Sequence, residues 1–507
     1  MSAEGVRIRA KSATDSRGRL SVFWLLAAFV LTWTIYPALT RINLDPYGDM
    51  LENYAWGIGW QWGYFKHPPF FAWTAAAWFE LFPRADWAYY LLSAVNAALA
   101  VFVSWRIALR FLDPWRSLLA SCLFFFLPPV TFLATKFNAN SALLPIWPMI
   151  VLFYLRFLER RRLVDALVLG LVAAIGILTK YFTAVLLASI VLHILFDRDA
   201  RSLLRSASTW LAAAVFLLAL VPHLIWLWNV DFQTISYAAS QGDGRALDGV
   251  TSGLRFVVAL VLYLIPAVLI LYLTLLRNRG EGKTAALLDA SGFRSLFHTV
   301  EGRALAWTTF GSVAVTLAIA VLLGTRLSSV WGLPMYFAVP VFVLAPVRPG
   351  ALEVRREVIP TIIAVYVVAL LVAAPFVRYF DEGREKHYSH VPVAGIAQAV
   401  EEAWKHETAA PLVYVGGDKI LSSGTSFYAP ARPYAVIENS LDNTPWITPD
   451  DLRRSGIVVA CFANQKDCEA ALAIYPVEFS KTETLSVQDI TGKPWNVVIH
   501  LALPEQG

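Results

Sequence analysis

The sequence predicts an α-helical polytopic membrane protein of about 11–13 transmembrane helices, with a C-terminal extracytoplasmic α/β domain. Three observations predict this fold class. Of the 507 residues, 57% are hydrophobic and 16% are charged, whereas soluble domains are usually about half apolar and a quarter charged. Apolar runs near the length that a helix needs to cross a bilayer, about 20 residues, recur along most of the chain. After about residue 380 the composition becomes that of an ordinary soluble domain.

The apolar runs begin at residue 21. They lie at about 21–39, 88–109, 117–134, 141–157, 163–179, 182–196, 207–228, 255–276, 304–323, 329–346 and 357–377. The segment 68–82 is aromatic but short, which suits an interfacial or re-entrant segment. The basic tail at 1–20 precedes a long apolar run without a small-residue cleavage site, so we expect an uncleaved first span rather than a signal peptide.

Arginine and lysine predict the orientation. They gather in the N-terminal tail and in every second loop, at Arg7, Arg9, Lys11, Arg17, Arg19, Arg110, Arg116, Arg156, Arg160, Arg161, Arg162, Arg198, Arg201, Arg205, Arg277, Arg279, Lys283, Arg348, Arg355 and Arg356. Eleven spans place all of them on one side, which the positive-inside rule makes cytoplasmic. We therefore expect a cytoplasmic tail at 1–20, a transmembrane domain at 21–379 with a first outer loop at 40–87, and an outer domain at 380–507.

The outer domain shows β-rich runs, PLVYVGG, GIVVACF and WNVVIHLAL, which alternate with turns and with a helical stretch near 393–406. This alternation predicts a small α/β domain. Cys461 and Cys468 could pair there if the compartment is oxidising. Cys122 lies in an apolar run, and we expect it to serve packing.

Three carboxylates, Asp45, Asp49 and Glu52, mark the first outer loop. Asp49 and Glu52 are three residues apart and would share a helix face. Such a pair could supply a general base or two ligands for a hard cation. The alternative is a solvated surface helix with ordinary acids.

The same loop holds Lys66 and His67 directly before Pro68-Pro69. These side chains could donate hydrogen bonds to a phosphate. The alternative is a lysine that snorkels within an aromatic belt. The two prolines fix the backbone and so aim the preceding side chains, a rigidity that a belt does not require.

Further cations occur at the same predicted membrane level. Lys136 follows the third apolar run, Lys180 and Tyr181 interrupt a long apolar stretch, and Arg326 precedes the tenth run. Together with Lys66 they lie on the side that the positive-inside rule disfavours, so we expect an anionic ligand there, such as a lipid-linked phosphate. His223 lies in an apolar segment, where a histidine without a role is costly.

Several motifs in order resemble the bacterial polyprenyl-phosphate-sugar-dependent glycosyltransferases of the C superfamily, which include protein O-mannosyltransferases, lipid A aminoarabinose transferases and rhizobial galacturonosyltransferases. The first loop matches in Asp49, Trp56 and the run from Gly63-Tyr64 to His67-Pro68-Pro69, with the family's spacing. The later motifs are KFNANSALLPIW, KYFTAVLLASI, PHLIWLWN and WGLPMY, which contain Asn138, Asn140, Tyr181, His223 and Tyr336. The match runs from residue 45 to about 340.

The resemblance implies an inverting sugar transfer from a polyprenyl-phosphate donor, in the transmembrane domain of a bacterial inner-membrane protein whose outer domain is periplasmic. It assigns Asp49 as the base, and Lys66, His67, Lys180 and Arg326 as ligands of the donor phosphate. Asp45, Glu52, Tyr64, Lys136, Asn138, Asn140, Tyr181, His223 and Tyr336 are further site candidates. The acceptor would be lipid A, lipopolysaccharide core or another glycolipid; a protein acceptor is the alternative. No nucleic-acid partner is expected.

The sequence departs from the family pattern at several positions. Met50 stands where many relatives have Glu, Asn140 where Asp is usual, and His223 where Asn is usual. His67 directly precedes the two prolines, where some relatives carry Lys. These departures leave a metal requirement open, with Glu52, His67 and His223 as candidate ligands of a divalent ion.

Two other classes of function remain. A transporter or flippase of a lipid-linked saccharide would explain the cations and aromatics, but not the spacing from Asp49 to Pro69, and we find no internal repeat of spans. A structural membrane subunit would bind a partner through its outer domain, and it predicts no loss of activity when Asp49 is replaced.

Overall fold

The computed structural model describes residues 3–240, 245–277, 288–348, 358–382, 390–465, 468 and 470–505. Its first part is helical. The helices are α1 (Ala3–Thr40), α2 (Asp49–Gly57), α3 (Phe70–Leu81), α4 (Asp86–Ala108), α5 (Pro114–Leu123), α6 (Leu143–Arg160), α7 (Leu163–Thr179), α8 (Thr183–Phe196), α9 (Ala207–Asn229), α10 (Gln233–Ser240), α11 (Ala246–Leu262), α12 (Ile265–Arg277), α13 (Ala290–His298), α14 (Val300–Ala306), α15 (Ser312–Leu323), α16 (Val339–Leu344) and α17 (Val358–Glu382). Of the basic residues that predict the orientation, Arg279, Lys283, Arg355 and Arg356 lie outside the described ranges.

Six segments of the described chain are long and apolar enough to cross a membrane: Ser21–Thr40, Asp86–Ala108, Ala207–Asn229, Leu247–Leu275, Val300–Leu323 and Val358–Phe380. Shorter apolar helices lie at Leu163–Thr179, Thr183–Phe196 and Ser329–Leu344. A polytopic helical membrane protein is therefore confirmed, although many of the helices are shorter than a full bilayer crossing.

Prolines account for the main differences from the predicted spans. The predicted span 117–134 is not continuous, because α5 and a short 3₁₀ turn at Phe124–Phe126 end before Pro128-Pro129, and Leu127 is extended. A proline disfavours the helical conformation of the residue before it, here Leu127, which explains this break. The predicted span 255–276 is divided into α11 and α12, and Pro266 stands at the second position of α12. The span 329–346 begins as a 3₁₀ helix, Ser329–Ala338, that contains Pro334.

The C-terminal domain contains α18 (Val393–Glu407), α19 (Lys419–Tyr428), α20 (Pro449–Ser455) and five strands. The strands are β1 (Tyr414–Gly417), β2 (Tyr434–Ala435), β3 (Ile457–Phe462), β4 (Lys481–Gln488) and β5 (Pro494–Ala502). They form one sheet in the order β2-β1-β3-β5-β4, in which β1 is parallel to β2 and β3, while β5 is antiparallel to β3 and β4. The α/β composition predicted for this region is confirmed, and Cys461 and Cys468 form a disulfide.

One buried core joins this domain to the loop between α1 and α4. It includes Met50 and Tyr54 of α2, Phe79 of α3, and Ile420 and Phe427 of α19. The ring of Phe427 packs edge-on against Tyr54 and Phe79, with centroids 5.1 and 5.0 Å away. Burying each such ring contributes about 1.5–3 kcal/mol. The C-terminal domain therefore packs directly on α3 and on α2, the helix that carries Asp49 and Glu52.

Candidate active site

Asp45 fixes the start of α2. Its side chain is 2% exposed, and its carboxylate accepts the backbone N–H groups of Tyr47 at 2.9 Å, Asp49 at 3.3 Å and Met50 at 2.8 Å. These bonds satisfy donors that a helix start leaves without partners. Both oxygens of Asp45 are thereby engaged with backbone, so this residue holds the first turn in place.

A cavity of about 210 Å³ lies beside α2. Side chains from the first loop, from the segment before α6, from α10 and from α19 line it: Asp49, Glu52, Asn53, Trp56, Lys66, His67, Asn138, Ala139, Asn140, Tyr237 and Lys419. At about 30 Å³ per water in the liquid, this volume equals roughly seven water molecules.

Asp49 meets a different lysine at each carboxylate oxygen. Oδ2 accepts from Lys136 Nζ at 2.6 Å and lies 3.5 Å from Asn138 Nδ2, whereas Oδ1 lies 3.9 Å from Lys419 Nζ. Burial alone would raise the pKa of Asp49, but the two lysines outweigh it and hold the pKa below its ordinary value. Asp49 is therefore a carboxylate at neutral pH, with one oxygen not hydrogen-bonded to a lysine.

Glu52 lies one turn further along α2 and bridges two lysines. Its Oε1 is 3.0 Å from Lys66 Nζ, and its Oε2 is 3.0 Å from Lys419 Nζ. Burial raises the pKa of this carboxyl, and the two lysines oppose that shift. Lys66 also pairs with Glu438 of the C-terminal domain. The six side chains form one alternating series, which we call the ion-pair chain: Glu438, Lys66, Glu52, Lys419, Asp49 and Lys136.

His67 lines the cavity without joining the ion-pair chain. Burial, with Lys180 and Lys66 nearby, lowers its pKa to about 3, so the ring is neutral. A neutral imidazole can donate one hydrogen bond, but it supplies no positive charge to the phosphate site that the sequence predicts.

The neighbouring Tyr64 stacks on Trp56, with ring centroids 5.3 Å apart, and its backbone N–H donates to the carbonyl of His67 at 3.0 Å.

Lys180, between α7 and α8, has an amide as its polar partner. Its ammonium donates to Asn140 Oδ1 and lies 5.0 Å from the ring centroid of Trp331. Burial lowers the pKa of Lys180 to about 7. A nearby anion would favour the charged form of this amine. The Asn138 side chain stabilises the backbone of the segment between Lys136 and α6, because its Oδ1 accepts the N–H groups of Asn140 and Ser141.

The candidate metal ligands are not brought together. His223 is buried, and its Nε2 lies 2.7 Å from the hydroxyl of Tyr181, while its Nδ1 lies 2.5 Å from the carbonyl of Trp62. Glu52 is instead bound by two lysines. Within the described residues, no three His, Cys, Asp or Glu side chains form a group that could hold a metal ion. The predicted set of Glu52, His67 and His223 is therefore not assembled as a metal-binding group in the part of the chain that the structure describes.

Two other candidates lie away from the cavity lining. Arg326 is exposed in the connection that follows α15. Tyr336 is buried in the 3₁₀ helix, and its hydroxyl donates to the carbonyl of Leu260 at 2.9 Å. Neither residue contributes to the lining of the cavity.

Six residues at the site were not predicted as site residues from the sequence: Asn53, Trp56, Ala139, Tyr237, Lys419 and Glu438. Lys419 and Glu438 lie more than 350 residues after Glu52 and Lys66, and they reach the site through packing between the domains. One local signal existed for Lys419. Lys419 directly follows Asp418, which caps α19 by accepting the N–H of Ile420 at 2.8 Å. Lys419 is therefore at a helix N-terminus, where a cation is unfavourable.

Comparisons with known proteins agree with one another. A model of the family described as dolichyl-phosphate-mannose-protein mannosyltransferase matches residues 66–226. The lipopolysaccharide core galacturonosyltransferase RgtA of Rhizobium johnstonii is 25% identical over 393 residues, which cover 72% of this chain and 71% of RgtA. RgtB of the same organism, also a lipopolysaccharide core galacturonosyltransferase, is 24% identical over 81% of this chain and 82% of RgtB.

Among solved structures, the crystal structure of ArnT from Cupriavidus metallidurans bound to undecaprenyl phosphate is similar over 95% of this chain and 97% of ArnT, with a TM-score of 0.57. The sequence identity is 14%. At this identity the likeness shows a shared fold, which extends through both the helical part and the C-terminal sheet domain.

Proposed function

We propose that this chain, a polyprenyl-phosphate-sugar-dependent glycosyltransferase of the C superfamily, transfers a sugar to lipid A or lipopolysaccharide core. The observation that carries the proposal is the cavity in which the ionised Asp49 lies beside several lysines. The named relatives RgtA and RgtB, which act on lipopolysaccharide core, support this acceptor class. They also favour a uronic acid as the transferred sugar.

Asp49 is the proposed general base. It takes the proton of an acceptor hydroxyl while the acceptor oxygen forms a bond to the anomeric carbon. The bond from that carbon to the phosphate oxygen breaks, and its electron pair leaves with the polyprenyl phosphate. Attack opposite the leaving group inverts the anomeric centre. A low pKa keeps Asp49 in the form that can accept a proton, and general base catalysis contributes typically about 10²- to 10⁴-fold.

Lys66 and Lys180 are the proposed ligands of the donor phosphate. Lys180 has an amide rather than a carboxylate as its partner, so an arriving phosphate can pair with its charge. Charge on the phosphate grows as the leaving group departs, and fixed cations stabilise a transition state most where charge develops. His67 would add a neutral hydrogen bond. Arg326 would take part only if the donor's phosphate or lipid extended to the exposed loop after α15.

We place the C-terminal domain, about 380–507, outside the cytoplasm, with the N-terminal tail inside. The disulfide between Cys461 and Cys468 supports this orientation, because disulfides persist mainly in oxidising compartments. The transfer would then occur at the periplasmic face of the bacterial inner membrane, where a lipid A or core acceptor is exposed.

The test is a transfer assay with the purified protein and a panel of polyprenyl-phosphate sugars, including a uronic acid, with lipopolysaccharide acceptors. We expect release of polyprenyl phosphate and a loss of roughly 10²-fold or more in Asp49→Asn. Asp450→Asn is the control, because Asp450 is exposed and pairs only with Arg453 among the described ion pairs. Undiminished turnover in Asp49→Asn would remove the assigned base. If no donor is consumed, the alternative function, a transporter or flippase of a lipid-linked saccharide, would be favoured.

The acceptor can be identified separately. A strain that lacks this protein should lose one sugar from lipid A or core, visible as a mass difference in the purified lipopolysaccharide. An unchanged lipopolysaccharide together with underglycosylated proteins would instead support a protein acceptor, the activity named for the matched family model.

A further inference from the structure

Among the described residues, Lys419 is the one that the C-terminal domain contributes to the lining of the cavity. It is the first residue of α19, and about a quarter of its side chain is exposed. The N-terminus of a helix carries partial positive charge, so a lysine there opposes the helix dipole at a cost of about 0.3–1 kcal/mol. The stability of α19 therefore does not explain why a lysine stands at position 419. The contacts of Lys419 with two carboxylates of α2, Asp49 and Glu52, do explain it.

The position of Lys419 is fixed from both sides. Asp418 caps α19 by accepting the N–H of Ile420 at 2.8 Å. Ile420 and Leu421 are buried in the core that α19 shares with α2. The side chain of Ile420 lies against Gly48, the residue directly before Asp49. The start of α19 is thus packed on the start of α2, and Lys419 has little freedom relative to Asp49.

The two oxygens of Asp49 differ in what they can do. Oδ2 is hydrogen-bonded to Lys136 at 2.6 Å. Oδ1 is 3.9 Å from Lys419, which is close enough for electrostatic attraction but too long for a hydrogen bond. Oδ1 therefore keeps lone pairs for a proton, while the nearby ammonium favours the negative charge.

We infer that Lys419 is a positioning residue of the sugar transfer, supplied by the C-terminal domain, which orients Asp49 through Oδ1. This inference rests on the proposed role of Asp49 as base. It gives the C-terminal domain a part in the reaction itself, because the geometry of the base depends on a residue outside the helical part. Glu52 is the anchor of Lys419, with its Oε2 at 3.0 Å.

The experiment compares Lys419→Met and Lys419→Arg with the control Lys481→Met in the purified full-length protein. Lys481 is a partly exposed lysine of the same domain that pairs with Glu407 and Glu483 on the surface. The measurements are kcat, KM for the polyprenyl-phosphate sugar, and the pH dependence of kcat/KM. Thermal unfolding of each variant reports whether it is folded.

In Lys419→Met we expect kcat to fall roughly 10- to 100-fold, as misplacement of a catalytic group does, with KM for the donor nearly unchanged. Loss of a neighbouring cation raises the pKa of Asp49. The base must be ionised, so the acidic limb of the profile should move to higher pH. Lys419→Arg should keep the limb in place, and Lys481→Met should behave as wild type.

A folded Lys419→Met protein whose acidic limb and kcat match wild type would overturn the inference. So would a fall in kcat without any movement of the limb, because that is what a purely structural lysine predicts. If the Met variant does not fold, Lys419→Gln carries the same expectation. Asp49→Asn separates the two hypotheses: if it is inactive while the Lys419 variants are unaffected, only the role of Lys419 is wrong.

Discussion

Lys66 lies between two carboxylates before any donor arrives. Glu52 and Glu438 both pair with its ammonium. A phosphate that binds Lys66 must therefore share it with Glu52 and Glu438 or displace one of them. Glu438 is the easier to displace, since its side chain is 36% exposed whereas that of Glu52 is 8% exposed.

Glu438, which pairs with Lys66, has an unusual backbone conformation. Glu438 and Asn439 have φ values of 48° and 55°, a left-handed conformation that costs a residue such as Glu about 1–2 kcal/mol and that Asn adopts more readily. Asn439 stabilises it, because its Oδ1 accepts the N–H of Gly417 at 2.8 Å and the hydroxyl of Tyr475. Strain of this kind concentrates at functional sites.

We therefore expect Glu438→Gln to bind polyprenyl phosphate more tightly. A partly exposed ion pair contributes about 0.2–1 kcal/mol, so removing this competitor should lower Kd by a factor of roughly 1.4 to 5. Binding to the purified protein in detergent or nanodiscs measures the effect. Glu483→Gln, which removes an exposed carboxylate beside Lys481, is the control. Weaker binding by Glu438→Gln would show that the carboxylate supports the phosphate site.

Single residues also show what the sequence could not predict. The pattern around His67 predicted a phosphate ligand, and that role stays a prediction. Its neutral state could not be inferred, because it follows from burial and from Lys180, which is more than 100 residues away in the sequence. Lys136 and Asp49 were both candidates, yet only the fold places them 2.6 Å apart.

Among the elements, the contact between α2 and α19 determines the geometry of the site. Gly48, at the start of α2, has a φ of +73°, and a Cβ there would lie 2.6 Å from Cδ1 of Ile420. The turn therefore needs glycine for two reasons, its conformation and the close approach of α19.

Gly48→Ala should reduce both stability and activity. The positive φ costs about 1–2 kcal/mol, and the shift of Ile420 should move Lys419 relative to Asp49. Gly492→Ala is a matched control, since Gly492 has a φ of +84° but, apart from its chain neighbours, no atom of the described residues lies within 4 Å of the position that a Cβ would take. We expect both variants to lower Tm, and only Gly48→Ala to lower kcat. Equal kcat in the two variants would contradict a role for this contact.

The helices and strands themselves were largely predictable. Apolar runs and β-rich runs are local signals, and α7 begins and ends where its run does, at 163 and 179. The predicted span 117–134 was wrong because hydrophobicity alone took no account of Pro128-Pro129, which end the helix. A hydropathy pattern therefore finds apolar segments, but proline placement decides whether they continue as helices.

At the scale of the whole molecule, the C-terminal domain forms part of the site. Lys419 and Glu438 supply two of the six members of the ion-pair chain, and the shared core buries Phe427 against α2 and α3. The sequence predicted this domain but not its contribution. Contacts across hundreds of residues leave no periodic signal in either partner, and charged residues on a soluble domain usually mark solvated faces.

The orientation of the molecule can be tested through its three cysteines. In the proposed orientation, Cys461 and Cys468 are in an oxidising compartment and form the disulfide, whereas Cys122 is a buried free thiol. Protein from cells that are alkylated during denaturation should carry one label before reduction and three after it. Cys122→Ser should carry none before reduction, which identifies the reactive thiol. Three labels without reduction would indicate a reducing compartment for the domain, and the periplasmic placement of the transfer would then be wrong.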